Sequence, residues 1–224
     1  MAQQQAAASA AGRSQRSSRL DEGVELVSLL RANPSMLAMA NRARHDEPLL
    51  EFAARFVAVE SSVSRAYKRL GAHLEYRRQH KIEDLAQLPA ELVFGNDGPK
   101  AQAAQAAYNK LLPHGLLGRD HGGRPILYKH CGHANFAQLD RAGVSFAMAA
   151  RYNEWLTERL AANMHHRGQW TVIIDLKGLS FATVASVKWM VYVQTLASHD
   201  ALHYPERLHQ LYVVNVPSFF ARAW

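Results

Sequence analysis

The sequence predicts an α/β protein with a separate helical unit on its N-terminal side, and three observations carry that prediction. "WTVIID" at residues 170–175 is a near-continuous apolar run, of the kind that burial on both faces of a sheet demands. "LYVVNV" at residues 211–216 reads as a second such strand, and the segment between them, from about Thr183 to Ala197, has helical character. Strand, helix and strand in that order imply a βαβ unit with a parallel, right-handed crossover, so helices cover the sheet of the main domain.

The elements follow in chain order. Residues 1–20 hold Arg13, Arg16 and Arg19 and no acid, a composition that reads as a disordered tail or an organelle-targeting leader. From Asp21 the text turns helical, with Val24, Val27 and Leu30 on one face, until Asn33-Pro34 interrupts it. Asp46 followed by Pro48 reads as the start of an alanine-rich helix that runs to about Val59. Val63, Tyr67, Leu70 and Leu74 recur at three- and four-residue spacing and predict an amphipathic helix over about residues 62–80. Its far side carries Arg65, Lys68, Arg69 and His73, either a solvated face or one that docks on phosphate-bearing head groups.

"VFGNDGPK" is loop-like and marks a boundary, giving a helical unit over 21–93 and a main domain over 94–224. A short alanine-rich helix follows, to Leu112 and Pro113. "GRDHGGRP" is a turn cluster, and "ILYKHC" after it has strand character. Val144, Met148, Tyr152, Trp155 and Leu160 suit a long helix packed on one side and reaching Met164, and Gly168 closes that region.

Composition bounds the function. The 224 residues, 48% of them hydrophobic, suffice for one sizeable core and a satellite of helices. No apolar stretch approaches the roughly 20 residues that cross a bilayer, and the first residues lack the apolar centre of a secretory signal. The chain is expected to be soluble, or to touch membranes only from outside. Cys131 is the single cysteine, so an intrachain disulfide and multi-thiolate metal sites are both excluded. A formal charge of +7, from 26 Lys plus Arg against 19 acids, favours anionic partners.

Recognisable catalytic chemistry is missing. The strand at 170–175 ends in Asp175-Leu176-Lys177-Gly178 where a nucleophile elbow would need Gly-x-Ser-x-Gly, and neither glycine-rich phosphate cradle follows a strand. The twelve histidines invite a metal, with His130, Cys131 and His133 the densest cluster. Consecutive strand residues point to opposite faces, however, so neither that cluster nor His165-His166 is expected to bind one. Asp175 has no sequence neighbour to pair with as a general base, and its expected role is to cap or brace the strand end. The basic residues lack the interleaved aromatics that stack on bases, so nucleic acid is not an expected partner.

Four segments together resemble the CRAL-TRIO family of lipid-binding and lipid-transfer proteins: "AYKRLGAHLEYRRQHKIEDL", "GRDHGGRPILYKHCG", "TVIIDLKGLS" and "HYPERLHQLYVVNVPSFFARAW". The resemblance implies an N-terminal helical unit and an α/β domain whose mainly parallel sheet floors an apolar pocket for one lipid. It implies a non-catalytic protein without cofactor or metal, which carries a phospholipid or other hydrophobic molecule and works in the cytoplasm, associating peripherally with anionic membranes. The implied lipid-binding residues are Leu127, Trp170, Val172, Ile174, Asp120 and Glu206, and the implied membrane-docking residues are Arg65, Lys68 and Arg69. An adaptor that binds proteins or membranes without exchanging lipid is the alternative.

The chain departs from the family at three places. Phosphatidylinositol-binding members have an Arg-Lys pair before the helix at 62–80, where this chain reads Val59-Glu60-Ser61-Ser62, and a carboxylate there repels phosphate. Phosphatidylcholine-binding members offer hydroxyls and tyrosines where this chain has Trp170, Val172, Leu116 and Leu127, with Thr171 and Tyr128 on the opposite parity, which points to a different or purely apolar ligand. The family also continues past "NVPSFFARAW" with a gate helix and a further strand. A C-terminally truncated domain that exposes Phe219, Phe220 and Trp224 is therefore expected.

Overall fold

The structure, a computed structural model, describes residues 18–95, 98–164 and 168–219. The expectations for residues 1–17, for His165-His166 and for Phe220 and Trp224 lie outside the described residues. The chain forms two compact units that divide between Glu83 and Asp84.

The first unit is helical. Helix α1 covers residues 18–31 and is followed at once by α2 (Pro34–Ala43). Asn33-Pro34 separates them as read from the sequence, and it also starts the second helix: the Asn33 side chain accepts the Met36 N–H at 3.2 Å, and Pro34 occupies the first turn, where no N–H is needed. Helices α3 (Leu49–Ala58) and α4 (Val63–His80) follow. Ser62 caps α4, and Lys81 ends it in the left-handed conformation.

Leu26, Leu30, Phe52, Phe56, Leu70 and Leu74 form the core of this unit. His73, expected on the basic face, belongs to that core instead. It is 4% exposed, with its ring 5.3 Å from that of Phe56 and 6.4 Å from that of Phe52. The buried stripe of α4 runs through Ala66, Leu70, His73, Leu74 and Arg77, wider than its aliphatic residues alone reveal. Arg77 enters the interior paired with Glu83 at 2.8 Å.

The second unit is α/β. A short helix, α5 (Ile82–Gln87), leads in, and α6 (Gly98–Leu111) follows. Next come strands β1 (His114–Arg119) and β2 (Pro125–His130), helices α7 (Phe136–Arg141) and α8 (Phe146–Ala162), and strand β3 (Trp170–Asp175). Helices α9 (Phe181–Val184) and α10 (Val187–His203) and strand β4 (Leu208–Val214) complete the unit. The single helix expected after β3 is thus two, because Ser186 accepts the Trp189 N–H and starts a new one.

The sheet order is β1-β2-β3-β4, with β1 antiparallel to β2 and the other pairs parallel. Strand β1 was not legible beforehand, since "HGLLGR" is short and glycine-bearing. It pairs through a bulge at Gly118, whose φ is +96°. Strands β2, β3 and β4 step in one direction across the sheet, so right-handed crossovers place α8 and α10 over the same face. Lys129 on that face donates to Asn153 of α8 at 2.5 Å, and His199 of α10 meets Glu154 of α8 at 3.0 Å.

The expectation that β4 is buried on both faces is corrected: all seven of its residues are exposed. It is the last strand of the sheet among the described residues, so only β3 flanks it. No helix among the described residues is long and apolar enough to cross a membrane.

The loops after β2 and β3 cross closely. A Cβ added at Gly132 would stand 1.7 Å from the Lys177 carbonyl oxygen, a backbone atom that cannot swing aside. Gly132→Ala is expected to destabilise the chain by at least about 2 kcal/mol. Gly115→Ala, where an added Cβ meets nothing within 4 Å, is expected to change stability by less than about 0.5 kcal/mol. Thermal melts of the two variants against the parent check both.

Candidate functional site

Asp175 organises the carboxyl ends of the strands. Its Oδ1 accepts the Lys177 N–H and the Asn215 amide, each at 2.8 Å, and its Oδ2 accepts the Tyr128 hydroxyl at 2.9 Å. One carboxylate thereby joins β2, its own strand and the residue following β4. Asn215 reaches it from a left-handed conformation, φ +53°, which asparagine tolerates. The Asn215 amide, the Lys177 N–H and the Tyr128 hydroxyl together hold its pKa below the usual carboxylate range. The role is a brace, as the sequence suggested.

The sheet face that α8 and α10 cover is read in rows of cross-strand partners. Leu116, Leu127, Val172 and Leu211 form one row across all four strands. Leu127, Trp170 and Val172, read from the sequence as lipid-binding residues, come together against side chains: Leu127 and Trp170 are buried with Leu156, Leu160 and Ala161 of α8 and with Tyr204, while Val172 packs at the margin of that cluster. The Trp170 and Tyr204 rings lie 5.9 Å apart, edge to face. At this end of the sheet the face is packed core.

The face opens toward the outer edge. In the same row Leu127 is 2% exposed and Leu211 is 49% exposed, and in the next row Ile174 is half-buried beside an exposed Val213. Helix α10 shows the same division. Trp189, Tyr192 and His203 form its buried stripe, whereas Val187, Met190 and Val193 form a second apolar stripe that is exposed. The Phe181 side chain of α9 is exposed too, against Phe219 at 5.8 Å between ring centres. Leu211, Val213, Val187 and Met190 were not singled out from the sequence. The signal was present in α10, whose apolar residues are too widely spread around the helix for a single buried stripe.

The two acidic positions lie away from Ile174. Asp120 sits in the β1–β2 turn: its Oδ1 accepts the Arg124 N–H at 2.9 Å and the Gly122 N–H at 2.8 Å, and its Oδ2 accepts the Thr171 hydroxyl at 3.1 Å. The Arg124 N–H leads the groups that lower its pKa. Glu206 is exposed in the turn before β4 with φ +58°, its carbonyl accepting from Gln169.

In the first unit, Arg65 and Lys68 are exposed on α4, with Arg65 reaching the Ser61 hydroxyl at 3.3 Å. Arg69 is half-buried and forms an ion pair with Glu60 at 3.0 Å. Glu60 therefore acts as an internal counter-charge for this basic face.

An α/β unit with a packed inner sheet and an apolar outer margin, presented by β4 and α10, is suited to an apolar ligand. The CRAL/TRIO domain family matches residues 109–224, and the chain belongs to that family, one of lipid-binding and lipid-transfer proteins. Among similar proteins, the SEC14 cytosolic factor of Kluyveromyces lactis is 28% identical over 113 residues, which are 47% of this chain and 37% of that protein. The SEC14 cytosolic factor of Candida glabrata is 26% identical over 113 residues, with the same two coverages. The match spans little more than a third of the length of these curated relatives. The crystal structure of Sfh5 superposes with a TM-score of 0.65 at 17% identity, covering 91% of this chain and 74% of that one, a likeness of fold.

Asp175→Ala removes the acceptor of three hydrogen bonds, each worth about 1 kcal/mol before solvent screening. A loss of about 1–2 kcal/mol is expected at neutral pH. A folded-state pKa below the unfolded one contributes stability above the unfolded value and loses it as pH falls through the folded one. The gap between parent and variant should therefore be constant near neutrality and close below about pH 4, as followed by urea unfolding at stepped pH.

Proposed function

We propose that this chain binds a phospholipid or another small hydrophobic molecule on the apolar margin formed by β3, β4 and α10, and carries it between membranes without chemical change. The observation that carries the reading is the exposed apolar set Leu211, Val213, Val187 and Met190 beside the half-buried Ile174, in a chain of the CRAL/TRIO family. An acyl chain on these residues loses contact with water at both surfaces, the driving force such a carrier needs. Leu127, Trp170 and Val172 serve as the rigid backing of that wall. Asp120 holds the turn that sets the β1–β2 pairing, and Glu206 stands at the rim before β4.

Membrane approach falls to the exposed Arg65 and Lys68 of α4, with Arg69 steadied by Glu60, on an anionic surface that a chain of formal charge +7 seeks. The relatives' name of cytosolic factor supports a cytoplasmic place of work, and the exposed cations of α4 support peripheral membrane association. No cofactor, metal or nucleic acid enters this reading.

A second reading is favoured by β4, whose outer side has no neighbouring strand among the described residues. An extended segment of a protein partner could pair there, making the chain an adaptor that exchanges no lipid.

The test equilibrates the full chain with mixed phospholipid vesicles, re-isolates it and weighs it by native mass spectrometry. A bound lipid is expected, and Leu211→Asp with Val213→Asp should lower its occupancy roughly tenfold at unchanged circular dichroism, since both side chains are exposed. Arg65→Gln with Lys68→Gln should weaken association with anionic vesicles about thirtyfold, each charge being worth about 1 kcal/mol there. A lipid-free mass for the folded parent would overturn carriage, and retention of a protein partner by that parent would favour the adaptor.

A further inference from the structure

A cleft of about 450 Å³ opens at the carboxyl ends of β2 and β3, between α6 and the loops that follow those two strands. Open α/β sheets place their ligands outside the carboxyl ends of their strands, where the loops offer backbone and side-chain donors around a crevice. Its volume lies in the range of small-molecule sites. The cleft shares no residue with the apolar margin of β4 and α10, so it does not rest on the lipid-carrying reading.

We propose that this cleft binds a phosphate-bearing small molecule. Its polar lining is Lys110, His133, Asn135, Gln138, Ser180 and Thr183, and no aspartate or glutamate lines it. The single full charge is therefore positive, which disfavours a cation and favours an anion. The donors are also available. Asn135 Oδ1 accepts the Gln138 N–H at 3.0 Å, which leaves its amide nitrogen for a ligand. The Ser180 and Thr183 hydroxyls lie 3.0 Å apart and only one proton can occupy that contact, so the pair keeps a second O–H to donate. Lys110 is exposed and reaches the cleft from the last turn of α6.

The floor is pre-formed. Gly132 crosses so close to Lys177 that a side chain at that position would collide with its carbonyl. The His130 ring nitrogen meets that same carbonyl at 3.0 Å, and the His133 ring stands edge-on to His130 at 4.6 Å. Donors held on fixed loops lose little freedom when an anion arrives, which is what lets an open cleft retain a small ligand. A tetrahedral phosphate, with several acceptor oxygens and one or two negative charges, matches a lysine ringed by amides and a hydroxyl better than a planar carboxylate does. The phosphate could belong to a free phosphomonoester or to a lipid head group, and the test separates the two.

Glycerol 3-phosphate is titrated into the full chain by calorimetry at low and moderate ionic strength. Saturable binding that weakens with salt is expected, with affinity about tenfold lower in Lys110→Gln and clearly lower in Gln138→Ala. Arg31→Gln, at an exposed cation of the other unit, should leave it unchanged. If glycerol 3-phosphate fails to bind but vesicles bearing phosphatidic acid do, with the same loss in Lys110→Gln, the site reads a lipid head group. The proposal is overturned if neither probe binds, or if binding persists at full strength in a Lys110→Gln chain whose circular dichroism matches the parent. Leu211→Asp with Val213→Asp is expected to lower lipid occupancy in native mass spectrometry and to leave glycerol 3-phosphate binding unchanged, so this result and that of lipid carriage stand apart.

Discussion

One carboxylate closes the carboxyl end of the sheet. Asp175 accepts from Tyr128 on β2, from its own following turn at Lys177, and from Asn215 just past β4. Three chain segments of distant sequence are therefore tied where parallel strands would otherwise fray. The turn this permits brings Lys177 across Gly132, where the absence of a side chain allows backbone to lie against backbone. Parallel strands need long crossovers and gain nothing from a tight hairpin, so a polar brace at their ends is an economical way to hold register. With register held, the row Leu116, Leu127, Val172 and Leu211 stays on one face, and every apolar feature of the unit follows from that row.

The row also shows how a single sheet can be both core and surface. Over β2 and the start of β3, helix α8 fills the space with Leu156, Leu160 and Ala161, and Trp170 against Tyr204 completes the packing. Tyr108, Tyr152, Phe94 and His114 extend that packed region with rings about 5 Å apart. Two residues along the row the cover ends. Helix α10 meets α7 through Trp189 and Tyr192 against Phe136, meets α8 through Tyr192 against Phe146 and through the His199–Glu154 pair, and leaves its second apolar stripe uncovered. Burial penalises the charged His199 ring, but its bonds to Asp200 and Glu154 outweigh that and raise its pKa to about 9, so the ring is charged at neutral pH. The result is a stiff wall with an exposed apolar margin.

The helical unit is built on the same principle of a committed interior and a charged exterior. Phe52 and Phe56 surround His73, and Arg77 is carried inside by its partner Glu83. The charge left at the surface of α4 is that of Arg65 and Lys68, since Glu60 engages Arg69. A carboxylate that looks unfavourable for an anionic partner when read along the chain is, in the folded unit, partly spent on an arginine beside it.

Local chemistry was legible from the text alone. Apolar runs marked β3 and β4, three- and four-residue spacing marked α4 and α8, and the glycines and Asp120 marked the β1–β2 turn, because these signals act over a few residues. The short glycine-bearing β1, the second helix started by Asn33-Pro34 and the break at Ser186 were not, since each depends on a cap or a strand partner that periodicity does not record. Nor could an apolar run say whether its strand lies inside the sheet or at its edge: "WTVIID" and "LYVVNV" look alike, yet among the described residues only the first has strands on both sides. Tertiary structure decided that Leu127 and Trp170 are core while Leu211 and Val213 are exposed. Strand order and crossover hand determine which helix lies over which residue, and both are properties of the whole sheet rather than of any segment in it.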